Sequence, residues 1–292
     1  MKKDINQIIT NQFIEAIETA KENGGKLPWE KGWNIGGQRP LRSNGKPYRG
    51  INSLVLSLQA KTHPVWLTFN QAKADGGMVR KGEKGTAVSF FKFIDAKQKD
   101  GTKKRVPLLR YYTVFNIDQI DFADGLPAKY EKHSYKPTEF DATDDANYEK
   151  AEEMLRGMLA MEGAPICEIG SEAFYVPSTH SITLPPMDSF LTRACYYSVT
   201  FHEFAHSTHK ALGRELGSRF GSDKYAKEEL VAELAASFLC SEAGIFDHTR
   251  ENSSGYLDGW LNKFKGDPKL LVQAGGLAQK VFDYLTGNQW EG

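Results

Sequence analysis

The chain has 292 residues, 40% hydrophobic and 25% charged, with a formal net charge of zero. This is the composition of a soluble globular protein long enough for one large or two ordinary domains. Three widely spaced cysteines without a C-x-x-C pair imply neither a disulfide framework nor a Cys-type zinc site. The first ten residues lack the apolar run of a signal peptide, and no 18-residue apolar segment follows, so a reducing cytoplasm and no membrane attachment are expected. The zero net charge hides a division. Residues 1–130 carry 22 Lys and Arg against 12 Asp and Glu, whereas residues 131–292 carry 15 against 25. A basic half joined to an acidic half points to a polyanion held by the first.

Residues 4–22 read as an amphipathic helix, with Ile5, Ile8, Ile9, Phe13, Ala16, Ile17 and Ala20 on one stripe, stopped by Asn23-Gly24-Gly25. Its polar face mixes acids with lysines, which favours docking on the domain's own core over lying on a membrane surface. Residues 27–52 are irregular and rich in Trp, Gly, Pro and cations. Trp29, Trp33 and Tyr48 interleave there with Arg42, Lys46 and Arg49. Planar rings offer stacking faces to unpaired bases and cations follow phosphates, the combination that sequence-tolerant single-strand binding uses; either tryptophan could equally fold under the loop. A helix is expected over residues 51–60. A strand at residues 65–69 leads into another helix near 70–75, and the turn V-R-K-G-E-K-G adds Arg80, Lys81 and Lys84 to the basic set. Two aromatic, β-branched runs, 86–94 and 108–116, predict a hairpin with a basic polar loop, and residues 123–145 read as a linker. A helix over 146–161, strands at 165–169 and 173–184, and a helix over 189–210 follow; then come a helix ending at Gly244 and two more within 253–288.

The last third holds the chemistry. His202, Glu203 and His206 form H-E-x-x-H. On a helix, residues four apart share a face, so both imidazoles can grip one metal while Glu203 stands beside the open position as general base. The next helical stretch, K-Y-A-K-E-E-L-V-A-E-L, sets Glu229 and Glu233 four apart beside an apolar stripe. Glu229 as third ligand, with Glu233 holding the free N–H of a ligand histidine, would satisfy both charges. H-E-x-x-H followed by E-x-x-x-E resembles the gluzincin metallopeptidases. The metzincin pattern is absent, since His209 stands where its Gly would be and Leu212 where its third His would be. The ligand set suits Zn2+ and also Mn2+. In zincin folds a strand beside the active-site helix pairs with extended substrate, and Phe174-Tyr175-Val176 and Ile182-Thr183-Leu184 are the two candidates. Tyr225 and His209 are the candidates for stabilising an oxyanion.

The segments K-P-Y-R-G-I-N, W-L-T-F-N-Q-A, V-R-K-G-E-K-G-T, V-F-N-I-D-Q-I, I-T-L-P-P, H-E-F-A-H and Y-A-K-E-E-L-V-A-E-L occur in order along the chain. Together they resemble the ArdC-type antirestriction proteins of conjugative plasmids, although S-T-H-K after His206 departs from that family's usual W-T-G-H. The resemblance implies an α+β fold in two domains: an N-terminal single-stranded-DNA-binding domain, residues 1–135, and a C-terminal gluzincin-like metallopeptidase domain, residues 136–292. It implies that His202, His206 and Glu229 hold the metal, that Glu203 is the general base, and that incoming plasmid DNA is protected from host restriction. Three functions compete on these residues: a DNA-tethered metalloprotease acting on DNA-bound proteins such as restriction enzymes, a single-strand coating protein with a structural metal, and an accessory of replication or primase machinery. The intact Glu203 favours the first, because a structural site needs no acid there.

Overall fold

A computed structural model describes residues 4–22, 39–59, 61–97, 103–134, 145–217, 222–245 and 254–288. Helix α1 (Ile5–Glu22) forms on the predicted stripe, and Ile9, Phe13 and Ile17 are fully buried along it. After strand β1 (Leu41–Arg42), helix α2 (Ile51–Ser57) and strand β2 (Val65–Thr68), the chain enters helix α3 (Phe69–Ala74). Thr68 and Gln71 start that helix with a capping box, each side chain accepting the other's backbone N–H. Strand β3 (Gly77–Val79) precedes the long hairpin of β4 (Thr86–Lys97) and β5 (Lys103–Asn116), whose strands run further than the predicted runs on both sides of the turn. A second capping box, Asn116 with Gln119, turns the chain into β6 (Ile120–Phe122). These strands make a four-stranded sheet of order β1-β2-β5-β4 and a small pair β3-β6.

The segment read as a linker is packed at its start. Helix α4 (Ala128–Glu131) buries Tyr130, whose hydroxyl donates to Asp75 beside an ion pair of Asp75 with Lys129. A few acids and prolines mimic a linker in composition, while one aromatic decides the packing.

The C-terminal half starts with helix α5 (Glu149–Glu162) and strands β7 (Ile166–Glu168), β8 (Phe174–Val176) and β9 (Ser181–Leu184), in the order β7-β9-β8. Helix α6 (Arg193–Ser207) opens on Thr192, whose side chain accepts from the Cys195 N–H, and helix α7 (Asp223–Ala243) ends at Gly244 with φ +77°. Helices α8 (Ser254–Gly266) and α9 (Leu270–Leu285) close the chain. No helix among the described residues is long and apolar enough to cross a membrane.

Where α1 docks differs from the expectation that it would sit on the N-terminal half's own core. It packs against α8 and α9 as well as α2 and β4, and Thr10 donates to the carbonyl of Pro268 at 2.7 Å. Ile9, Phe13, Ile17, Ile51, Leu54 and Val55 belong to one apolar cluster with α5, α6, α7 and α9. Helix α2 meets α9 at a backbone-to-backbone crossing: a Cβ on Gly275 would lie 3.1 Å from the Ile51 nitrogen, and Gly50 donates its N–H to Gln279 at 2.7 Å. An apolar stripe cannot specify which hydrophobic surface will cover it; shape does. Two smaller clusters, one around Val65, Leu67 and Tyr130 and one around Tyr48, Trp66, Val88 and Val114, belong to the sheets.

Phe13→Ala is therefore expected to destabilise the whole chain by about 3–5 kcal/mol. In urea, loss of helical circular dichroism and loss of bound divalent metal should coincide. A metal centre that survives where the helices have unfolded would contradict the shared core.

Candidate metal centre

Helix α6 presents His202 and His206 one turn apart, and α7 packs across it. The two Nε2 atoms are 3.1 Å apart, and the Glu229 carboxylate reaches them at 3.6 Å from His202 and 3.5 Å from His206. A tetrahedral ion with bonds of about 2.0–2.1 Å needs its ligand atoms about 3.3 Å apart. The three side chains thus converge at the spacing one divalent ion requires, and among the described residues they form the one such group of His, Cys, Asp and Glu. Burial works against an imidazolium at His202, but Glu229, Glu233 and Glu203 outweigh it and raise its pKa to about 9. Burial likewise works against the Glu229 carboxylate, yet His202, His206 and Tyr225 hold its pKa below the ordinary value.

Glu203 is buried on the same helix, and no hydrogen bond from a described residue occupies its carboxylate. Tyr225, one turn before Glu229 on α7, hydrogen-bonds that ligand; burial, then Glu229 and Glu203, raise its phenol pKa. His209 is placed otherwise. Its ring meets Tyr175 edge-on at 5.9 Å, and burial lowers its pKa. Tyr175 lies on β8, the outer strand beside α6, and donates to or accepts from His180 at 2.8 Å. β9 is the central strand, so Phe174–Val176 is the candidate whose outer edge no described strand pairs with.

The support of the histidines differs in part from the expectation. Glu233 approaches His202 Nδ1 at 3.9 Å, beyond hydrogen-bond length. Glu228 is the carboxylate in contact, with Oε1 at 3.2 Å from His206 Nδ1. Arg214 binds both oxygens of Glu228, at 2.9 and 3.1 Å, and donates to Thr208 at 2.8 Å and to the carbonyl of Ala205 at the end of α6. Arg214 and Glu228 have side chains only 4% and 7% exposed, so each requires the other. Nothing in the spacing marks this pair: Glu228 reads as one of three acids along a helix edge, and Arg214 as a cation after a turn.

The basic and aromatic residues of the N-terminal half separate into two groups. Lys46, Lys81, Lys84 and Arg42 are exposed. Arg80 is exposed but engaged by Glu83, Asp121 and the carbonyl of Asp118. Tyr48 is only 5% exposed, its ring packed with Trp66, Val88 and Val114, which takes its face away from a base. Arg49 pairs with Asp283 on α9, as Arg39 pairs with Glu242 on α7 at 2.7 Å and lies over the ring of Phe282. These two cations fasten the halves together. Trp29 and Trp33 lie outside the described residues. The exposed rings Phe90, Tyr111 and Tyr112 lie on the hairpin, in runs that read simply as strands.

Residues 3–115 match the N-terminal domain of anti-restriction factor ArdC, and residues 149–276 match a zincin-like metallopeptidase. The crystal structure of the antirestriction protein ArdC from plasmid R388, metal-free, is 37% identical, with 98% of each chain covered and a TM-score of 0.75. Its Mn(II)-bound structure is 36% identical at a TM-score of 0.73, again over 98% of both chains. An uncharacterized protein, y4eC, of Sinorhizobium fredii is 31% identical over 98% of this chain and 92% of its own length. The DNA primase TraC of Escherichia coli is 35% identical over 97% of this chain, which spans only 20% of that primase, and 27% of a second TraC. The zincin-like match, the Mn(II)-bound relative and the converging donors together imply a divalent metal. With both domains matched in order and a relative covered from end to end, the chain belongs to the ArdC antirestriction family, in a two-domain α+β architecture with a zincin-like C-terminal domain.

Proposed function

We propose that the chain binds single-stranded DNA through residues 1–135 and hydrolyses peptide bonds of proteins met on that DNA through residues 136–292. In the cytoplasm of a recipient cell it would thereby protect entering plasmid DNA, with bound restriction enzymes as the protein substrates. The hydrolytic half of the reading rests on His202, His206 and Glu229 meeting at ion-ligand spacing with Glu203 beside them.

His202, His206 and Glu229 would hold the cation, zinc or manganese, both of which accept two imidazoles and a carboxylate. When bound, the ion supplies Lewis acidity toward a water and a peptide carbonyl. Glu203 takes a proton from the water as its oxygen bonds to the carbonyl carbon, and returns it to the nitrogen as the C–N bond breaks. Tyr225, kept protonated by its raised pKa, is placed to donate a hydrogen bond in this site. The outer edge of β8 can pair with an extended substrate backbone. Glu228, backed by Arg214, fixes the ring of His206 through Nδ1, so that Nε2 faces the metal. The nucleic-acid half rests on the net charge of +10 over residues 1–130, which is 22 cations less 12 acids, and on the family of the N-terminal domain.

Three outcomes test this reading. Purified chain should hold about one divalent ion, and Glu229→Ala should lose it; full retention by elemental analysis would remove Glu229 from the ligand set. Glu228→Gln keeps the side chain's shape but halves its grip on Arg214 and His206, and should weaken metal affinity about 10–100-fold in chelator competition. An unchanged affinity would mean that His206 needs no such support. Glu203→Gln should keep metal and DNA binding while abolishing protection of transferred DNA, since loss of a general base costs about 10²–10⁴-fold in rate. If Glu203→Gln protects as well as wild type and a charge reversal at exposed Lys46, Lys81 and Lys84 does not, coating replaces proteolysis as the mechanism. Arg49 is unsuited to that comparison, because its reversal would break the tie to Asp283.

A further inference from the structure

The registers of the four-stranded sheet bring cations and rings onto one face. Arg42 pairs with Trp66, Trp66 with Asn116, Thr68 with Val114, Val114 with Thr86, Tyr112 with Val88, and Arg110 with Phe90. Paired residues share a face and alternate residues return to it, so Arg42, Trp66, Val88, Phe90, Arg110 and Tyr112 lie on the same side. Near α2 this side is core: Trp66, Val88 and Val114 are buried under Tyr48 and Leu56. Further along the hairpin it emerges into solvent. Phe90 is 39% exposed and Tyr112 38% exposed, and Arg110 is exposed opposite Phe90.

The rings are in sequence across the sheet. The Arg42 guanidinium lies 5.8 Å from the centroid of Tyr48, which is an electrostatic neighbour of both Arg42 and Tyr112. Tyr112 is in turn 6.3 Å from Phe90, centroid to centroid. Four strands at about 4.8 Å make a strip of about 14 Å. Among the described residues no carboxylate pairs with Arg42 or Arg110. The outer parts of the hairpin's two strands, residues 92–97 and 103–110, carry six Lys and Arg against one Asp. An apolar protein partner would have no use for that charge, and a duplex, whose bases are already stacked on one another, would have no use for the exposed rings.

We propose that this strip holds an unpaired nucleic-acid strand, with Tyr112 and Phe90 stacking on bases, Arg42 meeting a phosphate at the β1 end and Arg110 another beside Phe90. The inference rests on the nucleic-acid reading given above and locates it. Tyr48, buried over Trp66 and Val88 on this face, is the ring beside which Arg42 lies. Binding is tolerant of sequence, because stacking uses the π-face that every base has, and it is salt-dependent through the two arginines.

The test is anisotropy titration of the full chain against a fluorescein-labelled 20-nucleotide oligo(dT) and a 20-base-pair duplex, over a series of salt concentrations. The double variant Phe90→Leu with Tyr112→Leu keeps apolar packing against Val88 and should lose about tenfold or more in oligo(dT) affinity at an unchanged salt slope. Arg42→Gln with Arg110→Gln should weaken binding and flatten the slope by about 0.7 for each lost phosphate contact. Photocrosslinking of a 5-iodouracil oligonucleotide should map to Phe90 or Tyr112. Urea midpoints equal to wild type confirm that each variant is folded, and a single ring replacement, Tyr112→Leu, serves if the double one is not. Wild-type affinity in the ring variants, loss of binding only on Lys81→Gln with Lys84→Gln, or equal affinity for the duplex would overturn the strip while leaving nucleic-acid binding intact. No binding of oligo(dT) by the wild-type chain would overturn the underlying reading as well.

Discussion

Glu228 is a carboxylate in the interior, and an interior carboxylate is tolerated only with a cation and hydrogen bonds around it. Arg214 meets that requirement, and in doing so it crosses from the segment after α6 to α7 and holds the Ala205 carbonyl and the Thr208 hydroxyl at the end of α6. The result is that two helices from different parts of the chain are held in one relative position. Glu229 can then face His202 and His206 at 3.5–3.6 Å because its immediate neighbour on α7 is locked against the far nitrogen of His206. Removing one member of such a buried pair costs about 3–5 kcal/mol, enough to decide whether the three ligands stay converged. The convergence of His202, His206 and Glu229 thus depends on a salt bridge between two other residues.

The same kind of tie joins the two halves. Arg39 and Arg49 come from the basic segment expected to serve nucleic acid, yet they reach Glu242 and Asp283 on helices of the metallopeptidase half. Beneath them α1 and α2 share an apolar cluster with α5, α6, α7 and α9. The N-terminal residues therefore play two roles: some complete the core around the metal helices, and others form a sheet that stands outside it. Division of the chain by charge follows the second role only. This explains why α7, the helix that carries Glu229, is braced on one side by α6 and on the other by α9 and Arg39.

Much of this was legible in the residues. Regular spacing located α1, α6, α7 and the hairpin, because apolar positions four apart or two apart are dictated by helix and strand geometry itself. H-E-x-x-H located two imidazoles and an acid on one face of a helix for the same reason, and Glu229 followed from a carboxylate that would otherwise adjoin apolar surface. What composition misjudged were single side chains whose role depends on distant partners. Tyr48 reads as a stacking ring and is core; Phe90 and Tyr112 read only as strand residues of the hairpin and are exposed. Arg49 reads as a phosphate contact and is an ion pair across 234 residues of chain.

Local periodicity and the H-E-x-x-H pattern could be read from the residues, since they depend on neighbours within one or two helical turns, and the uneven charge follows from a count. Packing of the fold set which acid supports which histidine, whether β8 or β9 lies at the edge of its sheet, and which hydrophobic surface receives α1. Those outcomes turn on which of several chemically equivalent groups comes within about 3 Å of a partner far away in the chain, a distance set by packing of the whole fold and by no local pattern.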